Sequence, residues 1–198
     1  MDRRDSTRAQ RNRSQIAQTT ARLIAEHGLT DWNLAKRKAC RELGLPDREG
    51  LPDNEEVEQA LRDYNSLFQA DEQPVRLRQQ RQEALGWMER LLQWRPVLIG
   101  AVAAGWATAH SEVCLELEAE DAKSVELALI NAGVGYASLP TPLGSGMQVQ
   151  LRLANQAVRL VIVSPVERRN RPRRGGNQAD DRLGIAQLRA LLDEKSAV

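Results

Sequence analysis

The chain has 198 residues with 28 Lys and Arg against 27 Asp and Glu, so no overall field marks it for nucleic acid or a membrane surface. That length holds one large domain or two small ones and leaves room for a hydrophobic core. The two cysteines, Cys40 and Cys114, have no Cys or His nearby at zinc-site spacing, so a reduced cytoplasmic protein without a structural metal is expected.

The opening segment, MDRRDSTRAQRNR, has no apolar core behind its charges and reads as a disordered basic arm over 1–13, neither a secretory signal nor an anchor. A helical region follows over 14–93. Ser14 is placed to cap a first helix whose Ile16, Thr20, Leu23, Ile24 and His27 share one stripe up to Gly28. Thr30 or Asp31 starts a second helix, which runs through Leu43 and ends at Gly44 and Pro46. Asp53 with Glu56 has the spacing of a capping box, and Val57, Ala60, Leu61, Tyr64, Leu67 and Phe68 follow it at i, i+3, i+4 intervals. A fourth helix, from about Glu72 to Trp94, is expected to bury Ala84, Leu85, Met88, Leu91 and Leu92.

Beyond Pro96 the period changes from that of helices toward two. Strands are predicted at Val97 to Val102 and Glu112 to Glu118, a helix from about Asp121 to Ala132, and a short extended piece at Gly135 to Pro142. Met147 to Ala154 is predicted to pair with Val158 to Val163 through a hairpin at Asn155 and Gln156. Residues 166–182, rich in Arg, Pro and Gly, read as a disordered linker before a C-terminal helix within 183–198. The longest apolar run, Val97 to Ala104, is far shorter than the roughly 20 residues of a spanning helix, so no membrane association is expected. The fold class is therefore α+β, with helices first and a small mixed sheet after them.

The segment IGAVAAGWATAHSEVCL, Ile99 to Leu115, resembles the signature of minimal nucleotidyltransferases related to the DNA polymerase beta core. Those proteins carry Gly-Ser at the end of a strand, a loop glycine, and a second strand that opens Ser-Asp-hydrophobic-Asp. Here Gly100 and Ala101 stand for Gly-Ser, Gly105 for the loop glycine, and Ser111, Glu112, Val113 and Cys114 for the strand opening, with both intervals kept. The resemblance covers Trp94 to about Ala132, roughly a fifth of the chain. It implies a nucleotidyltransferase-like domain over 94–165, with Gly100, Gly105, Trp106 and His110 as candidates for nucleotide contact.

The motif's chemistry is incomplete. In an active member two aspartates hold two Mg²⁺ ions, because side chains at i and i+2 of a strand lie about 7 Å apart on one face and converge on metals about 4 Å apart. Cys114 replaces the second of them with a soft thiol, a poor Mg²⁺ ligand. Ala101 lacks the phosphate-side hydroxyl, and neither of the two later strands contains an acidic residue to act as a third ligand. The expectation is a catalytically degenerate nucleotidyltransferase-like protein that binds a nucleotide or a protein partner, with no cofactor and with Mg²⁺ only if it is active. An active enzyme with an atypical site stays open, as does a solvated edge strand beside a tight glycine turn. No Gly-x-x-x-x-Gly-Lys-Ser/Thr loop is present to cradle ATP.

Two basic clusters support a different class, a nucleic-acid-binding regulator. The first two helices resemble the opening of tetracycline-repressor-type regulators, and Lys36, Arg37, Lys38 and Arg41 would suit phosphates. Against this, the next helix begins with Asp53, Asn54, Glu55 and Glu56, which would repel a DNA backbone. Arg168, Arg169, Arg171, Arg173 and Arg174 form the second cluster, with no aromatic residue among them to stack on bases.

Overall fold

The structure, a computed structural model, describes residues 3–47, 50–140, 149–170 and 182–194. It is α+β, with helices preceding a six-stranded mixed sheet. The chain divides into two compact units. A helical unit comprises Met1–Arg76 with Trp106–His110, and a sheet unit comprises Leu77–Gly105 with Ser111–Val198. The division falls at Arg76 and Leu77 rather than after residue 93, and the C-terminal helix belongs to the sheet unit.

In the helical unit, α1 (Arg3–His27) packs on both α2 (Trp32–Leu43) and α3 (Asn54–Phe68). Ala17, Ala21 and Ala25, four residues apart, are buried with Ala35, Val57, Ala60 and Leu61; small side chains on that stripe let helices approach closely. Ile16, Leu23, Ala39 and Cys40 form a second buried cluster. The caps predicted for α2 and α3 are present, whereas Ser14, expected to cap the first helix, lies inside α1. The Asp31 side chain accepts from Leu34 N at 3.0 Å. Gly44 takes the left-handed conformation that ends α2. The reciprocal bonds between Asp53 and Glu56 are both 2.8 Å.

Three expectations for these helices are corrected. First, α1 starts at Arg3, so residues 3–13 are helical and not a disordered arm. No Pro or Gly interrupts the run before Gly28, and Arg13 is fixed by α3: its Nε donates to both Glu56 carboxylate oxygens at 2.7 Å, and its Nη2 reaches Asp53 at 3.3 Å. Second, His27 is exposed and does not complete the buried stripe. Third, Leu67 and Phe68 are exposed, at 74% and 71%; the stripe of α3 closes at buried Asn65, and Phe68 instead lies against Tyr64 with ring centroids 4.9 Å apart. Spacing assigns a residue to a helix face, but it does not say whether a neighbour covers that face.

In α4 (Glu72–Arg90) and the 3-10 turn that follows at Leu92–Trp94, Ala84, Trp87, Met88, Leu91 and Trp94 are buried. Leu92 is exposed, contrary to expectation, because it begins the 3-10 turn and so leaves the helical stripe. The strands are β1 (Val97–Ile99), β2 (Val113–Glu118), β3 (Tyr136–Leu139), β4 (Val149–Leu153), β5 (Val158–Val163) and β6 (Arg182–Leu183), in spatial order β3-β4-β5-β2-β1-β6. β2 and β5 are parallel, and the other neighbours are antiparallel. β1 ends sooner than predicted. Gly100, at φ 75° and ψ −152°, breaks the strand, and Ala101–Ala104 form a single helical turn, α5, closed by Gly105 at φ 86°. The β4–β5 hairpin turns through Asn155 at φ 60°, and Asp121 caps α6 (Ala122–Asn131).

Strand register gives the sheet two unlike faces. On one, Leu183, Leu98, Leu115, Leu160 and Leu151 form a continuous cross-strand row, all buried. On the other, the row reads Arg182, Ile99, Cys114, Arg159, Arg152. Glu116 also lies on this second face at zero exposure, and Arg182 grips its carboxylate at 2.6 and 3.1 Å. Here the expected linker over 166–182 is corrected at both ends. Pro165–Asn170 is a helix, α7, and Arg182 opens the sixth strand ahead of α8 (Ile185–Glu194). Both ends are fixed by ion pairs to β2, since Arg168 of α7 also reaches Glu116, at 3.4 Å. Residues 171–181 of that span lie outside the described residues.

Two outcomes follow from these ion pairs. The hydrogen bond from Arg13 holds the Glu56 carboxyl below the ordinary glutamate range, aided by the backbone N–H of Asp53. A carboxyl depressed on folding contributes stability that is present above its unfolded pKa and is lost as pH falls through the folded value. Urea midpoints of the helical unit measured from about pH 6 to about pH 3 should therefore fall less steeply for Glu56→Gln than for the wild type. Glu116→Ala should destabilise the sheet unit by about 3 kcal/mol, the lower end for a broken buried pair because Arg182 keeps partial solvent contact. A urea midpoint unchanged by Glu116→Ala would contradict the pairing.

Candidate functional site

β1 and β2 are adjacent, with Ile99 opposite Cys114. The glycine-bounded turn α5 leads out of the first, and Glu112 immediately precedes the second. Ser111 offers its backbone carbonyl to Gln80 Nε2 at 3.0 Å. The segments that carry the motif thus lie together in one mixed sheet.

The acidic side chains of β2 are engaged by arginines. One Glu112 oxygen meets Arg152 Nε at 2.7 Å, and the other accepts from Nε and Nη2 of Arg159. Glu116 is held by Arg182 and Arg168, and Glu118 by Arg95 at 3.1 Å and Arg168 at 3.4 Å. Between Glu112 and Glu116, burial pushes the Cys114 thiol above its ordinary pKa, which keeps it protonated and a weak ligand for hard cations. Among the described residues, no group of three or more His, Cys, Asp or Glu side chains is placed to hold a metal ion. Arg152 and Arg159 were not foreseen as site residues. Their alternation in QLRL and VRLV puts both arginines on the face opposite the leucines, and that was the available signal.

The four candidates for nucleotide contact fall in two different units. Gly100 and Gly105 bracket α5 in the sheet unit, whereas Trp106 and His110 belong to the helical unit. Trp106 meets the ring of Trp32 edge-on, centroids 5.4 Å apart at 62°, and its carbonyl accepts from Asn65 Nδ2 at 3.2 Å. His110 lies over Gly28, where a Cβ would stand 2.7 Å from the imidazole Cγ. With φ at +65° as well, that position suits glycine alone.

Of the first basic cluster, Lys36 is buried and donates to Asn54 Oδ1 at 2.9 Å, and burial lowers its pKa. Its ammonium is committed inside the helical unit. Arg37 and Arg41 are exposed and Lys38 half-buried. Of the second cluster, Arg168 is spent on Glu116, Glu118 and the Arg95 carbonyl, and Arg169 donates to Pro165 O at 3.3 Å. Arg171, Arg173 and Arg174 lie outside the described residues. No helix among the described residues is long and apolar enough to cross a membrane.

No protein-family model matches this chain, and no curated protein and no solved structure is significantly similar to it.

Proposed function

We propose that the sheet unit is a nucleotidyltransferase-like module that has exchanged metal chemistry for binding, and that it takes a nucleotide without a divalent cation. The observation that carries this reading is the clamp on Glu112. Where the resemblance calls for a metal-binding aspartate, the carboxylate lies between Arg152 and Arg159, and a guanidinium at contact distance repels a dication. The adjacency of β1 and β2, with a glycine-bounded turn leading out of β1, supports the same reading. So does Cys114, which leaves the second ligand position without a carboxylate. Two arginines on one carboxylate also leave this part of the sheet face with a net positive charge, which favours an anionic ligand.

Melting temperatures with ATP, GTP, CTP or UTP, each with and without Mg²⁺, test the proposal. A ligand of the folded state at one hundred times its Kd adds about 2.7 kcal/mol. At least one nucleotide should stabilise the protein equally with and without Mg²⁺; stabilisation that requires Mg²⁺ would contradict the reading. A second outcome concerns the carboxylate pair. Cys114→Asp places an acid opposite Arg159 in the sheet register, so the new carboxylate should pair with that guanidinium. Equilibrium titration should show Mn²⁺ binding no tighter than in the wild type, and a gain of tenfold or more would count against the clamp.

A further inference from the structure

Arg81, on α4 within the sheet unit, is buried, at 8% exposure. Its Nε donates to Val102 O at 3.1 Å and its Nη2 to Ala103 O at 3.0 Å. These are carbonyls of α5, a helix too short to satisfy them internally. The guanidinium also lies against Gly105, with Nη2 3.6 Å from the point a Cβ would occupy there. Arg81 therefore fixes the turn that joins the two halves of the glycine segment.

Tethering two carbonyls needs donors, and a neutral side chain supplies donors without burying a charge. A cation is favoured at a helix C-terminus, but that gain is small for a single turn and does not offset the desolvation of a guanidinium. Elsewhere in the sheet unit, the buried or half-buried Arg168, Arg159 and Arg182 each have a carboxylate. Arg81 has none among the described residues, and burial is the sole influence on its pKa, which it lowers. The two bonds use Nε and one Nη2 hydrogen, so the donors of Nη1 are uncommitted among the described residues.

We infer that Arg81 is an anion-binding residue at the edge of the Gly100 to Gly105 turn, and that its Nη1 edge takes a phosphoryl oxyanion. The nucleotide version of this inference rests on the function proposed above; the anion itself does not. The same chemistry serves the terminal phosphate of a nucleotide or a free phosphate. A multiply charged oxyanion supplies the counter-charge that the protein lacks there and meets the planar guanidinium through directed hydrogen bonds.

The test uses the full chain at constant ionic strength. Binding of pyrophosphate, ATP and acetate is measured by calorimetry for wild type, Arg81→Lys and Arg81→Gln, with circular dichroism to confirm folding. Pyrophosphate and ATP should bind the wild type, acetate should not, and Arg81→Gln should weaken both by at least tenfold, with Arg81→Lys in between. As a check that does not depend on a variant folding, the Nε–Hε resonance of Arg81 in the wild type should shift as pyrophosphate is added. Equal affinity of wild type and Arg81→Gln, or an unmoved Arg81 resonance at saturation, overturns the role of Arg81 while leaving nucleotide binding intact. Pyrophosphate binding that depends on Arg81, with no ATP binding and no stabilisation by any of the four nucleotides, supports Arg81 and removes the nucleotide reading. Failure of the wild type to bind either ligand removes the role of Arg81, and with no stabilisation by any of the four nucleotides it removes both.

Discussion

A carboxylate at zero exposure in the middle of a sheet must be neutralised where it lies, and Glu116 imposes that requirement on everything around it. Its two principal partners come from the far end of the chain: Arg182 from β6 and Arg168 from α7. Without them the buried charge would lose both of these cations, so the segment after β5 has to return to β1 and β2. The arginine-rich stretch is thereby a structural part of the sheet unit at both of its described ends. The two-residue strand β6 would gain little from its own backbone pairing with β1. The ion pair secures it, and Leu183 completes the leucine row on the other face.

Glu112 and Glu118 repeat the arrangement at the two ends of β2, each with two arginines. From residue 112 to 118 the chain thus carries an acid at every second position except 114, and each acid is already matched to a cation. The chemistry open to this face follows from that. Two metal ions held by paired carboxylates require those carboxylates to be uncommitted, and displacing a guanidinium from a bidentate contact costs the hydrogen bonds as well as the Coulomb attraction. A thiol at 114 with its pKa raised by burial adds no hard ligand. Binding of an anion without a metal, as proposed, would need neither.

Local interactions were the legible part of this sequence. Asp31, Asp53 with Glu56, Gly44 and Asp121 act on backbone groups within four residues of themselves, and their spacing located the helix ends they cap. Alternation of apolar and polar residues located β2, β5 and the hairpin at Asn155. What could not be read depends on partners distant in the chain. The extension of α1 to Arg3 goes with an ion pair across 40 and 43 residues, and the partners of Glu116 lie 52 and 66 residues away in numbering. The short α5 was hidden for another reason. Ala-Val-Ala-Ala is apolar enough to continue a strand, and only the backbone angle of Gly100 separates the two outcomes. In the candidate site, the motif spacing located the glycine turn and β2, but it gave no sign that Trp106 and His110 would pack against Trp32 and Gly28.

The central claim is that the acids of β2 are held by arginines and are not available to a metal. Paramagnetic broadening by Mn²⁺ reads this directly, because a bound ion bleaches amide resonances near it. In a titration of the isotopically labelled chain, the amides of Val113 to Leu117 should keep their intensity relative to the rest of the sheet. Selective loss of those signals at low Mn²⁺, reversed by Mg²⁺, would show a divalent site on β2 and contradict the claim.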